Sequence, residues 1–401
     1  MKWEYLTLDK LGSISRGKSK HRPRNDKILF GGKYPFIQTA DVKAANLYLT
    51  EYKNTYNEKG LEQSKLWKAG TLCITIAANI AETAILGIDA CFPDSIMGFV
   101  PFKGVSNVKF IKYAFDILKN NCRTISQGTA QDNLSWEKLS RIEFPAPPIE
   151  VQNKIVDILS AYDDLIENNQ KQIKLLEEAA QRLYKDWFVD LRFPGYEKTP
   201  IIDGVPEGWK KYRISEIGKV VTGKTPSTEK EEYYGKEIPF VKIPDMYNGI
   251  YSIVTETSLT KEGADTQKSK YIPANSIMVS CIATVGLVNI SVNVCQTNQQ
   301  INTIILNQQE DLYYIYFTMK RLKTLLEGVG SNGATMTNVN KTKFENLEIL
   351  YPIKELRKKY FYFCYPIFKK IYDLSMNNIF LSQARDCLLP KLMSGELEVQ
   401  L

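Results

Sequence analysis

Apolar residues recur at three- and four-residue steps from Val151 to Trp187, through Ile155, Ile158, Tyr162, Leu165, Ile173, Leu176, Ala180 and Leu183. The run follows Pro147-Pro148 and contains no further Gly or Pro. That spacing predicts one helix, about 60 Å long at 1.5 Å per residue. Its apolar seam is made for a partner helix, and Asn169 is a polar seam position of the kind that fixes register. A second such run supplies the partner: Leu356, Tyr360, Phe363, Ile367, Ile371, Leu374 and Leu381. The predicted pairing residues are therefore Ile155, Ile158, Tyr162, Leu165, Asn169, Ile173, Leu176 and Leu183 on one side, with Tyr360, Phe363, Ile367, Ile371, Leu374 and Leu381 on the other.

The two helices share a phrase. Asp164-Leu165 followed by Asn168-Asn169 returns as Asp373-Leu374 followed by Asn377-Asn378, and the same duplication runs through the whole chain. Trp3, Leu8, Leu11, Gly12, Gly17 and Lys18 repeat 206 residues later as Trp209, Ile214, Ile217, Gly218, Gly223 and Lys224. Pro35-Phe36-Ile37 matches Pro239-Phe240-Val241, and Cys91 matches Cys295. Offsets this steady imply two copies of one unit with small loop insertions. The spacing falls from 209 at the Asn pairs to 206 at Leu183 and Leu389, so the second helix is expected to be about three residues shorter.

Within each copy, short runs of alternating or continuous apolar character (Leu72–Ile76, Ile85–Ile88, Ile238–Ile243, Ile277–Val279, Leu287–Val292) read as strands. A helix is expected at 111–120 and at 312–327, each before a Gly-containing loop. Residues 192–208 carry three prolines and three glycines, an extended linker or structured loop. The fold class is mixed, α+β, with two tandem repeated domains and two long helices whose apolar seams pair.

Composition narrows the chemistry. The 401 residues carry a formal net charge of +7, which favours phosphate backbones only weakly by itself. Seven cysteines show no CxxC pair, which argues against a zinc site or a disulfide framework and for reduced thiols in a cytoplasm. No apolar run reaches the length of a membrane span, so no membrane association is expected. The one histidine, His21, lies among Arg16, Lys18, Lys20, Arg22, Arg24 and Lys27, where a solvated basic loop explains it better than catalysis.

Two segments satisfy the phosphate-loop expression, Gly12–Ser19 and Gly218–Thr225, but the strand before and the helix after that the chemistry requires are missing. Gly328–Gly333 matches G-x-G-x-x-G after a helix, where helix termination is the simpler account. Asp41 with Glu51 and Lys53 resembles a metal-dependent nuclease set, yet Asp245 in the second copy has no such companions. No catalytic residues and no metal ligands are assigned.

Binding chemistry remains. Lys and Arg serve phosphates, whereas Gln, Asn and Arg read base edges. The candidate DNA contacts of the first copy are Arg16, Lys18, Lys20, Arg22, Arg24, Gln38, Thr39, Gln127, Thr129, Gln131 and Asn133. Those of the second are Lys224, Thr225, Lys242, Tyr247, Asn248, Gln299, Asn332, Thr335 and Asn338.

The whole arrangement resembles the DNA specificity subunit of type I restriction-modification systems. The residues that carry the resemblance are Pro147-Pro148-Ile149-Glu150-Val151-Gln152 at a helix head, and the run Leu183-Tyr-Lys-Asp-Trp187 through Pro194-Gly195. Val205-Pro-Glu-Gly-Trp209 and Leu388-Leu-Pro-Lys through Glu396 complete it. The second helix head, Pro352-Ile-Lys-Glu-Leu-Arg357, departs from the first by lacking the Pro pair and the Gln.

By that resemblance, residues 1–148 form a first DNA target recognition domain and 149–190 a central spacer helix. A linker (191–208), a second recognition domain (209–352) and a distal spacer helix with a C-terminal tail (353–401) follow. Each domain would read half of a bipartite double-stranded DNA target, while the two helices, packed as an antiparallel, pseudo-two-fold coiled coil, would set the gap and dock two copies of a modification (methyltransferase) subunit. The subunit itself would be non-catalytic and hold no cofactor. S-adenosylmethionine belongs to the partner methyltransferase, and ATP with magnesium to a restriction subunit that can join. The rival expectation is a coiled-coil scaffold that binds proteins and no DNA.

Overall fold

The computed structural model describes residues 3–77, 79–126, 134, 136–322 and 338–400, with the backbone alone at 120–126 and 248. The chain divides into two compact units: Met1–Gln170 with Asn377–Leu401, and Lys171–Met376. Each unit thus owns half of each long helix.

In the first unit a five-stranded sheet runs in the order Gly12–Arg16, Ile96–Pro101, Leu72–Thr75, Thr83–Leu86, Tyr48–Leu49. Its pairs are antiparallel except the last, which is parallel. The central strands Leu72–Thr75 and Thr83–Leu86 are buried at every residue, as strands covered on both faces must be. Alternation decides what each side chain meets. Leu72 and Ile74 point to the helix Val108–Ser126 and its Phe110, Ile111 and Phe115, whereas Cys73 points to a second core of Ile37, Trp67, Leu86 and Phe92. A four-stranded sheet (Asn54–Tyr56, Phe30–Phe36, Ala90–Cys91, Leu66–Trp67) and the ladder of Glu4–Thr7 with Glu143–Ala146 complete the domain.

The second unit repeats the five-stranded sheet strand for strand, while its four-stranded sheet gains an outer strand at Tyr234–Gly235 and has only the bridge Ile272–Cys295 where Leu66–Trp67 pairs in the first. Its five-stranded sheet runs Gly218–Thr222, Ile301–Leu306, Ile277–Ser280, Val288–Ser291, Tyr251–Ser252, again with only the last pair parallel. Its four-stranded sheet is Tyr234–Gly235, Thr257–Leu259, Ile238–Val241, Gln296–Thr297. Lys210–Arg213 pairs with Glu348–Tyr351. The duplication seen in the sequence is therefore a duplication of topology in the five-stranded sheet and in this ladder. One difference is local: the helix Leu312–Lys320 is buried all round, through Tyr313, Tyr314, Tyr316 and Phe317. Between Trp187 and Trp209, the linker folds into a small hairpin of Ile201–Ile202 with Val205–Pro206.

The long helices span Ile149–Phe188 and Lys354–Met393, 40 residues each. The expected shortening is absent. The second helix spends four more residues ahead of its Asn pair and four fewer behind it, so the drifting offset moved the phrase and left the length alone. It also continues through an exposed Pro366, whose missing amide frees a carbonyl one turn earlier, beside the exposed Tyr362.

Each helix head is held by one buried side chain. Gln152 donates to the carbonyls of Pro147 and Val105 and accepts the Asn107 amide. Arg357, at the equivalent place, donates to the Pro352 carbonyl and pairs with the buried Asp311, which Tyr351 also reaches. Arg357 lies 3.9 Å above the Tyr351 ring.

In the first unit the helices meet through Ile155, Val156 and Leu159 with Leu392 and Met393. Asn169 donates to Asn377 and Asn378 at 2.9 and 2.8 Å, and Asp163 accepts from Arg385 and from Tyr113. In the second unit Ala180, Tyr184 and Phe188 pack with Tyr360, Cys364, Phe368 and Ile371, and the Tyr360 hydroxyl donates to the Ala180 carbonyl. Of the pairing residues expected from spacing, Ile155, Asn169, Tyr360, Ile371 and Leu374 are buried, and Tyr162, Ile173, Leu176, Leu183, Ile367 and Leu381 are half-buried. Three face outward: Ile158, Leu165 and Phe363 are 38, 50 and 56% exposed. Leu159, Ile166 and Cys364, each one residue further on, are buried in their place. Each helix half packs against its own domain as well as the other helix, and this second neighbour rotates the buried stripe away from a simple seam.

The segment that follows the second helix returns to the start of the chain. Leu397 and Val399 approach Trp3, Val151 and Ile155, and a Cβ on Gly395 would stand 3.2 Å from the Trp3 ring.

Candidate nucleic-acid interface

The two Gly-Lys segments are turns at the ends of strands. Gly12–Arg16 and Gly218–Thr222 are themselves strands, and no helix begins directly after either segment; the next elements are short 3-10 turns at Lys27–Leu29 and Glu231–Tyr233. The glycines serve close approach: a Cβ on Gly17 would lie 2.3 Å from the Pro93 carbonyl, and one on Gly223 2.2 Å from those of Thr297 and Asn298. From there the Lys18 amide donates to the Phe92 carbonyl and the Lys224 amide to that of Thr297. Both lysine side chains stand exposed.

A second element arrives at the same strand ends. The Ile37 amide bonds to the Cys91 carbonyl, so Gln38 and the helix Thr39–Ala44 begin beside the Lys18 turn. In the second unit the Asn298 amide bonds to the Val241 carbonyl, bringing Lys242 and the 3-10 helix Ile243–Asn248 beside the Lys224 turn. Asp41 and Asp245 cap these helices by accepting the amides of Gln38 and Lys242, each at 2.8 Å. That is the task of the two aspartates, in place of the nuclease-like set. Among the described residues, no group of three or more His, Cys, Asp or Glu side chains is placed to hold a metal ion.

The basic loop of the first unit is tied down from beneath. Gln63 Oε1 accepts the amides of Lys20 and His21 at 2.7 and 3.1 Å, and the Ser64 hydroxyl donates to the Lys18 carbonyl at 2.8 Å. Arg22 folds back on the carbonyls of Ser19 and His21, Arg24 pairs with Asp94, and His21 bonds to Asp26 at 2.9 Å. The His21 contact, with the Ile28 amide, holds the Asp26 carboxyl below its usual range. Arg16, Lys18 and Lys20 make no ion pair among the described residues and point their charge outward. In the second unit Gln267 has the corresponding place, donating to the Lys224 carbonyl and to Gln296. Thr225 donates to the exposed Gln299 at 2.8 Å, and Tyr247 is 62% exposed.

The structure thus gathers Arg16, Lys18, Lys20 and Arg22 with Gln38 and Thr39 in one unit, and Lys224, Thr225 and Gln299 with Lys242 and Tyr247 in the other. Asn338 is exposed on a bridge to Ile282. Gln127, Thr129, Gln131, Asn133, Asn332 and Thr335 lie outside the described residues, as do the side chain of Asn248 and the Gly328–Gly333 segment. Four residues of the site escaped sequence reasoning: Gln63 and Gln267, which hold the turns, and Lys65 and Lys270, which join them. Lys65 sits 3.5 Å over the Trp67 ring and reaches Ser15, and Lys270 donates to the Thr222 carbonyl. The 204-residue spacing of the two glutamines was the available signal.

Comparison with known proteins identifies the family. The type I restriction modification DNA specificity domain matches residues 1–178 and 206–371, once in each copy. The chain belongs to that family. It is 29% identical to the HindI specificity subunit of Haemophilus influenzae, across 96% of this chain and 98% of the relative. It is 27% identical to the MjaIX specificity subunit of Methanocaldococcus jannaschii, across 99% and 94%. The crystal structure of a type I restriction-modification S subunit from M. genitalium shares the fold, with a TM-score of 0.60 at 14% identity over 100% of this chain and 97% of that one.

Proposed function

We propose that this chain is the DNA specificity subunit of a type I restriction-modification complex, with each unit reading one half of a two-part target. The observation that carries the proposal is the recurrence, in both copies, of an exposed Gly-Lys turn beside a capped helix start at the ends of equivalent strands. The exposed cations suit phosphates, and the neighbouring amides and hydroxyls suit base edges.

The long helices act as an antiparallel coiled coil with pseudo-two-fold symmetry. Supporting this, Asp163 meets Arg385 and Asn169 meets Asn377, so residue numbers rise on one helix as they fall on the other. A stiff pair of this kind sets a fixed number of base pairs between readers, as dimer geometry does elsewhere. It also docks two modification subunits, which bind S-adenosylmethionine and methylate adenine, and restriction subunits supply ATP- and magnesium-dependent steps. The chain contributes recognition and no catalysis, in the cytoplasm. Among the described residues no helix is long and apolar enough to cross a membrane.

Co-expression with the cognate methyltransferase subunit in a methylation-free host, followed by genome-wide mapping of modified adenine, tests the proposal. The expected result is a two-part motif with one fixed gap, lost when this chain is omitted. An assembled complex that leaves no new methylation would overturn it in favour of a scaffold.

A further inference from the structure

The polar contacts between the long helices are unevenly placed. In the second unit their buried contact is apolar and aromatic, and the Tyr360 hydroxyl reaches a backbone carbonyl across it. In the first unit two buried polar groups bridge them. Asn169, 7% exposed, spends both amide hydrogens on Asn377 and Asn378. Asp163, also 7% exposed, receives Arg385 and Tyr113 at 2.5 Å each. Tyr113 lies in the helix Val108–Ser126 that covers the domain sheet, so this carboxylate ties domain, first helix and second helix together.

Apolar seams tolerate alternative registers because one aliphatic contact replaces another. Directional contacts do not. Sliding one helix by a turn, about 5.4 Å, would strand Asn169 without its partners and take the cation of Arg385 away from the buried Asp163, leaving it Tyr113 alone. Such a slip equals one to two base pairs at roughly 3.4 Å each.

Resting on the function proposed above, we infer that Asn169 and the Asp163–Arg385 pair are specificity-determining residues that touch no DNA: they confine the complex to one gap length. They act through helix register and are positioning residues.

The test maps methylation by the wild-type complex and by variants. Asn169→Leu replaces a polar seam position with an apolar one, and its melting temperature is expected to hold or rise. Both half-sequences are expected to persist while a neighbouring gap length appears among the modified sites. Loss of gap exclusivity without loss of stability is an outcome that a merely structural role would not produce. Asp163→Arg and Arg385→Asp singly are expected to broaden the gap, and the two together to restore one gap, which keeps the inference testable if a single variant misfolds. A single unchanged gap in folded Asn169→Leu, with no broadening in either charge variant, overturns the inference. Absence of any two-part motif with the wild-type chain would instead count against the proposed function.

Discussion

Gln152 and Arg357 perform one task with different chemistry: each donates to the carbonyl of the proline five residues before it, at 2.8 and 3.0 Å. The neutral amide completes its bonding on backbone groups. The guanidinium needs a counter-charge and finds it in Asp311, which is wholly buried. Burial lowers the Arg357 pKa, opposed by the nearby Glu310 and Tyr212. Removing one partner of such a pair leaves a buried charge exposed to low dielectric. Arg357→Ala is therefore expected to destabilise the second unit by about 3–5 kcal/mol. Arg357→Gln with Asp311→Asn, which imitates the first copy, should recover most of that loss. Urea unfolding of the three variants measures it.

Gln63 holds the basic turn by two backbone amides. Gln63→Ala leaves Lys20 and His21 without their acceptor while removing no charge. DNA affinity is expected to fall by roughly 5–30-fold, about 1–2 kcal/mol, with the salt dependence nearly unchanged. Titration of target DNA at several salt concentrations separates this from a loss of charge.

Lys18→Ala and Lys20→Ala make the opposite signature. Removing one cation from a phosphate should reduce the slope of log K against log salt by about 0.9, with the sequence preference retained. Neither substitution, nor Lys224→Ala, is expected to alter nucleotide binding, because the Gly-Lys segments end strands and no helix N-terminus opens directly behind them. An ATP-binding assay that responded to them would restore the phosphate-loop reading.

Burial pushes the thiols of Cys281, Cys295 and Cys364 up from 9.0 to about 11, 12 and 12. Their folded pKa values lie above the unfolded one, so their contribution is complete below pH 9 and is lost as pH rises toward 11 or 12. The melting temperature is expected to decline from about pH 9 upward. Alkylation at pH 8 should modify the exposed Cys387 quickly and these three only after unfolding, as peptide mass mapping would show.

Much of the architecture was legible in the chain. Strand alternation, the long helix periodicity and the near-constant offset all report a single dominant environment per residue. The helix seam was legible only in part, because Ile158, Leu165 and Phe363 keep the right spacing yet lie on the wrong side of a helix packed from two directions. Arg357 looked like a departure from the first copy, since sequence offers no view of the buried Asp311 that makes it equivalent to Gln152. Lys65 and Gln63 were missed for a similar reason: a strand pairing and a helix turn bring them to the basic loop from more than forty residues away. The loop candidates from Gln127 to Asn133, with Asn332 and Thr335, lie outside the described residues.

The approach of Gly395 to Trp3 has a topological consequence. Residues far apart in number are neighbours there, much as the short hairpin-bearing linker connects Trp187 to Trp209 in the other copy. The contact closes the first unit on itself, joining the segment after the second helix to the residues just before the strand Glu4–Thr7. A chain cut within 191–208 and joined across the Gly395–Trp3 junction would carry the same cores and the same helix locks, with first and second exchanged.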